Sequence, residues 1–411
     1  MKINKHCFPN GLRLVHYEDT STQMVALNIV YDVGARDEHP EHTGFAHLFE
    51  HLMFGGSAHI PDYDTPLQLA GGENNAWTNN DITNYYLTVP KPNVETAFWL
   101  ESDRMLELAF SEQSLEVQRG VVMEEFKQRC LNQPYGDVGH LFRSLAFRVH
   151  PYRWPTIGKE LSHIEQATLD EVKSFFYRFY APNNAVLAVT GNISWDETVK
   201  LTEKWFAPIP RRDVPVRQLP QEPEQTQERR LTVERNVPLD ALFMGYHMCS
   251  REGADYYAFD ILSDILSNGR SSRLNRRLVQ EQNIFSGIDA YISGTRDAGL
   301  LQISGKPAAG VSLEQAEAAV RKELEELQRS PVDGQELEKV KNKFESTQIF
   351  GNINYLNVAT NLAWFELTGK AEDIDLEVER YRSVTTEQLH TVAQRTFCES
   401  NAVVLYYKSD K

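Results

Sequence analysis

The chain contains an internal repeat, and this repeat constrains the fold more than any other feature of the sequence. Residues 168–187 align without a gap on residues 385–404, at a constant offset of 217 positions (385 minus 168). In both copies the pattern predicts an amphipathic helix that leads through a short turn into a strand rich in β-branched residues. Residues 47–56 align in the same way on residues 260–269. Together the two matches indicate a duplicated α/β unit.

The repeat predicts two domains in this chain of 411 residues. Residues 208–230 are rich in proline, glutamine and charge, a composition typical of a semi-extended linker. We therefore predict an N-terminal domain at 1–210, a linker at 211–230 and a C-terminal domain at 231–411. Strands are predicted at 12–18, 24–33, 84–89, 185–192, 241–248, 299–305 and 401–408. Several of them alternate apolar and polar residues, which indicates sheets covered on one face.

The charge and cysteine content limit the classes of partner and compartment. The chain carries 42 basic and 58 acidic residues, a formal net charge of −16, which argues against nucleic acid or an anionic membrane as partner. The four cysteines form no CxxC pair, so we expect isolated thiols rather than a metal knuckle or a disulfide framework. Neither a transmembrane stretch nor a signal peptide is evident, so we expect a cytoplasmic protein, or a periplasmic one if a presequence has been removed.

Two histidines and a glutamate in the first copy have the spacing of a zinc site. His47 and His51 are four residues apart on a predicted helix that begins near Thr43 and ends at the glycine pair 55–56. Side chains at i and i+4 lie on the same face, so both imidazoles can bind one ion. Glu50 shares that side but lies off the ligand axis, where it can activate a water.

The HxxEH spacing alone is a modest signal, because a helix with two surface histidines and a solvated glutamate has the same pattern. The remaining positions of this helix are apolar: Leu48, Phe49, Leu52, Met53 and Phe54. We therefore expect the helix to be buried, and buried imidazoles and carboxylates need partners. A metal site satisfies all three polar groups of this helix, those of His47, Glu50 and His51. In the second copy the corresponding positions are Asp260, Ser263 and Asp264, which indicates that only the first copy carries the chemistry.

A third ligand is predicted on a second helix, around residues 114–128. On a helical wheel one broad side is apolar: Leu115, Val117, Val121, Val122 and Phe126. Glu125 projects within that side, whereas Glu124 projects away from it. We therefore predict Glu125 as the ligand, with a partly buried salt bridge as the alternative. Glu124 is then a solvated neighbour or a group that supports a ligand.

These residues resemble the inverzincins of peptidase family M16, the family of pitrilysin, insulin-degrading enzyme and the mitochondrial processing peptidase. The resemblance covers nearly the whole chain, and its length matches the bacterial two-domain, processing-peptidase-like members. The segments that carry it are HxxEH at 47–51, the run 119–125 that ends at Glu125, the runs 75–78 and 81–86, and Gly269 with Ser272, Arg273 and Leu274. It implies two homologous domains in a clamshell-like duplication. Each has a mixed, mostly antiparallel sheet with helices on one face, and one Zn²⁺ per chain lies in the first.

The resemblance also implies how a peptide would bind. Asn75, Ala76 and Trp77 are expected on a strand edge that faces the site, where a substrate would add as an extra strand through backbone hydrogen bonds. Family members often carry a glutamate seven residues before the ligand glutamate, and this chain has Gln118 at that position. Gln118 and Glu124 are therefore only possible supporting groups.

The second half departs from the pattern of active members. In those members it contributes an arginine and a tyrosine, seven apart, that hold the substrate carbonyl, and residues 278–286 offer no such pair. Phe285 cannot donate a hydrogen bond to an oxyanion. Arg276 or Arg277 is a possible substitute, although exposed helix charges are the simpler interpretation. We therefore expect a homodimer, or a heterodimer in which a related subunit supplies the pair.

The sequence thus predicts a zinc metalloendopeptidase that cleaves peptides or unfolded segments, with Glu50 as general base. The alternative is a non-catalytic or partner-dependent scaffold subunit. The intact set of His47, Glu50, His51 and Glu125 favours the enzyme, because a scaffold does not need four matched polar residues in apolar helices. A zinc hydrolase that acts on non-peptide amides has no positive support.

Overall fold

The computed structural model describes residues 1–410, which divide into two compact units. Unit one comprises Met1–Leu131, Trp154–Pro220 and Ile349–Leu376, and unit two comprises Asn132–Arg153, Gln221–Gln348 and the chain from Glu377. The units therefore differ from the consecutive ranges 1–210 and 231–411 in two segments. Residues 132–153 pack in unit two, and residues 349–376 pack in unit one. We call these two the exchanged segments. The consecutive domain boundaries themselves stay a prediction.

The elements are numbered in chain order. The strands are β1 Ile3–Cys7, β2 Arg13–Glu18, β3 Met24–Tyr31, β4 Glu73–Thr78, β5 Thr83–Pro90, β6 Ala185–Gly191, β7 Arg229–Arg235, β8 Ala241–His247, β9 Phe285–Ile292, β10 Leu300–Pro307 and β11 Ala402–Ser409. The helices are α1 Phe45–Leu52, α2 Asp64–Leu69, α3 Val94–Leu106, α4 Glu112–Phe126, α5 Val138–Ala146, α6 Leu161–Glu165, α7 Leu169–Phe179, α8 Trp195–Trp205, α9 Tyr256–Ser267, α10 Leu313–Arg329, α11 Gly334–Gly351, α12 Tyr355–Thr368, α13 Glu377–Ser383 and α14 Thr386–Thr396.

Unit one is built on a six-stranded sheet in the order β1-β2-β6-β3-β5-β4. The β2–β6 pair is parallel and the others are antiparallel. Side chains alternate between the two faces of β3: Val25 and Leu27 enter the core beneath the helices, whereas Ala26 and Val30 pack against α12 on the opposite face. Because both faces are covered, β6 is buried along its whole length.

Polar groups fix where α12 packs on the sheet. Asn28 and Asn84 exchange amide hydrogen bonds of 2.8 and 3.0 Å between β3 and β5. The hydroxyl of Thr360 in α12 donates to Oδ1 of Asn28 at 3.1 Å. Since buried polar groups need partners, this network favours one placement of α12 over others on an otherwise apolar face.

Unit two contains a five-stranded sheet in the order β7-β11-β8-β10-β9, with β7 and β11 parallel and the other pairs antiparallel. Ala402, Val404 and Tyr406 of β11 enter the core on the side of α9, α10 and α14. Val403 and Leu405 face the exchanged segment that contains α5. Unit two therefore repeats the architecture of unit one with one strand fewer among the described residues.

The predicted repeat is confirmed as a structural one. Helix α7 leads into β6 and helix α14 leads into β11, in each case through a short 3₁₀ turn. The seven predicted strands are present as β2, β3, β5, β6, β8, β10 and β11, with ends within two residues of the predicted ones. Residues 211–228 form no helix or strand, and β7 begins at Arg229.

Within residues 1–410, no helix combines the length and the apolar character that crossing a bilayer requires. The four cysteines form no disulfide in this part of the chain.

Candidate metal centre

Helix α1 begins at a glycine, and a buried carboxyl group caps it. Gly44 has a φ of 88°, a left-handed conformation that suits glycine, and it has no side chain to accept the first free N–H groups of the helix. The carboxyl oxygens of Glu38 accept from the backbone N–H of Gly44 and of Ala46, both at 2.9 Å. Burial raises the pKa of Glu38 to about 8. The helix is shorter than predicted, Phe45–Leu52, because the chain turns at Gly44 and after Leu52.

The apolar side of α1 packs as the sequence predicts. Leu48 and Phe49 are fully buried. The ring of Phe49 stacks on Phe175 and on Tyr180, with centroid distances of 5.2 and 5.0 Å. The hydroxyl of Tyr85 donates to the carbonyl oxygen of Phe49 at 3.3 Å. Packing on three sides therefore restricts how α1 can turn about its axis, and with it the direction of the polar side chains.

The structure brings the two histidines of α1 and one glutamate of α4 together. Nε2 of His47 lies 3.5 Å and Nε2 of His51 lies 3.3 Å from Oε2 of Glu125. One ligand atom from each of the three residues lies within 4.8 Å of the others. The imidazole rings are nearly perpendicular, with an interplanar angle of 88°. The predicted donors therefore converge on one point, although their role as ligands stays a prediction.

The chemistry of these donors fits a Zn²⁺ ion. Two imidazoles and a carboxylate are a known donor set of catalytic zinc. Burial lowers the pKa of His47 to about 4, so its imidazole is neutral, as a ligand must be. The hydrogen bond from His51 lowers the pKa of Glu125, which keeps its carboxylate ionised. These two residues are therefore in the protonation states that metal binding requires.

Glu50 lies beside this group and is partly buried. Burial is the main cause that raises the pKa of its carboxyl group, while the charges of His51 and Arg129 act in the opposite direction. A carboxylate with a raised pKa is a better proton acceptor at neutral pH than a fully solvated one. Glu50 is thus suited to proton transfer.

The buried side of α4 is narrower than the helical wheel predicts. Leu115, Val122 and Phe126 are buried, but Val117 and Val121 are 55% and 46% exposed. The apolar side of the wheel therefore extends beyond the buried side of the helix. Val117, Val121 and Glu125 are spaced four residues apart and form one stripe at the border of the buried side. A wheel assigns every apolar residue to the core, whereas single exposed valines are common on protein surfaces.

Within residues 1–410, no hydrogen bond or ion pair joins the two possible supporting groups to the predicted ligands. Glu124 is exposed and pairs with Nζ of Lys127 at 2.6 Å, so it projects away from the centre as predicted. Gln118 lies two turns before Glu125, in the vicinity of Gly55. The exposed pair with Lys127 favours the solvated role for Glu124, and a supporting role for Gln118 stays a prediction.

The residues expected to bind substrate lie on β4, which is an edge strand. Within residues 1–410, β4 pairs with β5 alone, with Ala76 opposite Tyr85 and Trp77 opposite Asn84. Ala76 packs toward the core that contains α1, and Trp77 packs toward α12. Helix α1 also packs against β4. An edge strand therefore lies beside the candidate metal centre, and its role in binding substrate stays a prediction.

Sequence reasoning missed one charged residue of the centre, Arg129. It lies on a short π-helix, Lys127–Leu131, that continues α4, and π-helical turns are frequent at functional sites. Its Nη2 is 2.8 Å from Oε1 of Glu125. In the sequence, the i, i+4 spacing between Glu125 and Arg129 was the signal that indicates this ion pair.

The arginines considered as substitutes in the second half are engaged inside unit two. Arg277 pairs with Glu323 at 2.6 Å and also with Glu326, and Arg276 lies 3.6 Å from Glu281. Phe285 is fully buried in the core of unit two. These contacts favour structural roles for the three residues.

Replacing Glu38 with Ala is expected to weaken Zn²⁺ binding about ten-fold, a usual effect of losing a residue that orients metal ligands. It should also lower the free energy of unfolding by about 1–2 kcal/mol, because two N–H groups at the start of α1 lose their acceptor. Chelator competition measures the first effect and urea unfolding the second. An unchanged zinc affinity would mean that Glu38 stabilises α1 without orienting the ligands.

Two family models match the chain. The model described as "Insulinase (Peptidase family M16)" matches residues 13–158, and the one described as "Peptidase M16 inactive domain" matches residues 166–344. The fold of this chain, two α+β units with an HxxEH helix in the first half, agrees with both family models. The chain belongs to peptidase family M16.

Individual relatives are distant but similar over nearly the full length. The chain is 26% identical to "Zinc protease PqqE" of Helicobacter pylori, over 97% of this chain and 91% of that one. It is 25% identical to "Uncharacterized zinc protease YmxG" of Bacillus subtilis, over 98% of both. The crystal structure of a protease from Helicobacter pylori superposes with a TM-score of 0.94 at 26% identity, covering 99% of each chain.

Proposed function

We propose that this chain is a zinc-dependent metalloendopeptidase that hydrolyses peptides or unfolded protein segments. His47, His51 and Glu125 would hold one Zn²⁺, and Glu50 would act as general base. The observation that carries the proposal is the convergence of three donor atoms within 4.8 Å. The family and the names of its relatives as zinc proteases support it.

The chain's own residues would perform the proton transfers. When bound, zinc supplies Lewis acidity that polarises a carbonyl and makes water a better nucleophile at neutral pH. The carboxylate of Glu50 takes a proton from the water as the oxygen of that water attacks the carbonyl carbon of the peptide. It then gives that proton to the nitrogen of the leaving amine as the C–N bond breaks.

The edge of β4 would hold the substrate. A peptide that adds beside Asn75, Ala76 and Trp77 forms backbone hydrogen bonds that do not depend on its side chains. Because β4 lies beside α1, a strand in this position presents its backbone near the polar side chains of the helix. This mode of binding suits extended or unfolded segments rather than folded proteins.

A partner subunit belongs to the proposal. The second half lacks the arginine and tyrosine expected from the family resemblance, and Arg277 and Phe285 are engaged in unit two. We infer a homodimer or a heterodimer with a related chain that supplies the pair. The alternative function is a scaffold subunit that depends on a partner for activity. It rests on the same observation, that residues 278–286 lack the arginine and tyrosine pair.

Metal content and cleavage separate these two functions. We expect about one zinc per purified chain, the content of a single catalytic zinc site, and cleavage of an unstructured peptide that chelation abolishes. A chain without zinc that cleaves no peptide would be the scaffold.

Replacing His47 with Ala is expected to remove the metal, because zinc would keep only two protein ligands. The measurement is zinc per chain by elemental analysis after dialysis. Glu124→Ala is the matched control, since Glu124 neighbours Glu125 but is exposed and pairs with Lys127. Zinc content equal to the parent's in the His47 variant would contradict the assignment of this ligand.

A further inference from the structure

Arg129 places a permanent positive charge at the candidate metal centre. Its guanidinium contacts Oε1 of Glu125 at 2.8 Å, while Oε2 of the same carboxylate faces the two imidazoles. The side chain of Arg129 is 66% exposed, compared with 19% for Glu125. The charge of Arg129 also influences the pKa of His47, Glu50 and Glu125. Arg129 is therefore part of this site and accessible to a ligand in it.

A metal and Arg129 compete for the same negative charge. Without metal, the carboxylate of Glu125 neutralises the guanidinium. A divalent ion held by this one carboxylate and two neutral imidazoles leaves a net charge of about +1 on the ligand set, and with Arg129 included the sum is about +2. Even with Glu50 ionised, the metal and two carboxylates sum to zero. Arginine cannot lose its proton, so the loaded centre keeps a cation that favours another anion.

We propose that Arg129 determines specificity by binding the carboxylate of an acidic side chain close to the scissile bond of the substrate. This inference rests on the proposed function, because it requires the metal and a bound peptide. The planar guanidinium matches a carboxylate with two parallel hydrogen bonds. The preference is local, since the chain as a whole carries a net charge of −16.

The competing explanation is an ordinary helix ion pair. Arg129 and Glu125 are spaced i, i+4, and exposed pairs of this kind stabilise proteins little. In that case Arg129 variants would lose a little thermal stability and keep the same substrate preference. An arginine that only orients Glu125 would instead change zinc affinity. Substrate preference, zinc content and melting temperature therefore separate the three roles.

The test compares pairs of peptides blocked at both ends, so that side chains supply the only carboxylates. Once the cleaved bond is mapped, Glu or Gln is placed at each flanking position in turn. The parent should prefer the Glu peptide at one position by about five-fold in kcat/KM, a typical upper value for an exposed ion pair. R129Q should lose this preference, and R129E should reverse it. A peptide with a free C-terminus and no acidic side chain tests a terminal carboxylate as the source.

Lys127→Gln is the matched control, because it removes one positive charge from the same helical turn but from a side chain paired with Glu124. It should keep the preference of the parent. Equal Glu/Gln ratios in the parent and R129Q would overturn the proposal. Loss of zinc in R129Q would also overturn it and make Arg129 a residue that orients Glu125. Preference for the terminal carboxylate alone would overturn the choice of an acidic side chain.

A binding measurement separates failure of this inference from failure of the proposed function. Fluorescence anisotropy gives the affinity of the Glu and Gln peptides for the Glu50→Gln variant with zinc and after chelation. The Glu preference should be larger with zinc, because the metal adds positive charge beside Arg129. If the parent binds no zinc and cleaves no peptide, the proposed function fails. The anisotropy ratio still decides the role of Arg129: a zinc-dependent Glu preference supports it, and its absence overturns it.

Discussion

Replacing Glu50 with Gln is expected to lower kcat by about 10²–10⁴-fold, the usual contribution of a general base, while zinc stays bound. The amide has nearly the shape of the carboxylate but cannot accept the proton of the attacking water. Glu50 is not among the three residues whose donor atoms converge, so the metal should not depend on it. Steady-state cleavage of an unstructured peptide measures the loss, and elemental analysis measures the zinc.

Glu124→Gln is the control for this experiment, because it makes the same chemical change in an exposed carboxylate of α4. Its kcat and zinc content should equal those of the parent. A Glu50→Gln variant that cleaves at the parent rate would remove Glu50 from the mechanism. A variant that loses zinc would instead make Glu50 a ligand.

A fragment of residues 1–210 is expected not to reach a native fold by itself. In the whole chain, α12 covers one face of the six-stranded sheet, where Val15, Val30 and Val186 are buried. Full burial of one such side chain contributes about 1.5–3 kcal/mol, and domains are stable by only about 5–15 kcal/mol. Without α12 the fragment also exposes the paired amides of Asn28 and Asn84. It should aggregate or melt without cooperativity.

Adding residues 349–376 to the fragment, by fusion or coexpression, should restore a cooperative thermal transition and zinc binding. Circular dichroism follows the first and elemental analysis the second. The matched control carries Leu362→Asp, which places a charge at a fully buried position of α12, and it should not restore folding. A fragment 1–210 that melts cooperatively and binds zinc alone would contradict this prediction and support the consecutive domain boundaries.

The sequence predicted the interior strands and missed the edges of the sheets. The missed strands, β1, β4, β7 and β9, are the outermost ones in the two sheets. An edge strand is partly solvated, and natural edges carry charges and polar residues that discourage pairing with other molecules. Their sequences, such as ENNAWT in β4, therefore lack the apolar runs that mark buried strands. The strand beside the candidate site is one of those with this weak signal.

The convergence of the three donor residues was predictable because its geometry is mostly local. The spacing of His47 and His51 in one helix brings the imidazoles together whatever the rest of the fold does. Glu125 required a judgement about a second helix, and the wheel placed it correctly even though Val117 and Val121 are exposed. The location of α12 could not be predicted. Its sequence is apolar on most sides, which indicates burial but does not say against which sheet.

The exchanged segments suggest how such a chain arose. They begin at residues 132 and 349, which differ by 217 positions, the same offset that relates α7 to α14. A half-length ancestor with this architecture could cover its own sheet only by taking a helix from a second copy and giving one in return. Two copies that exchange an identical element in this way are domain-swapped. Duplication and fusion of its gene make the exchange permanent, and afterwards one half could lose its metal ligands while still supplying a helix that the other needs.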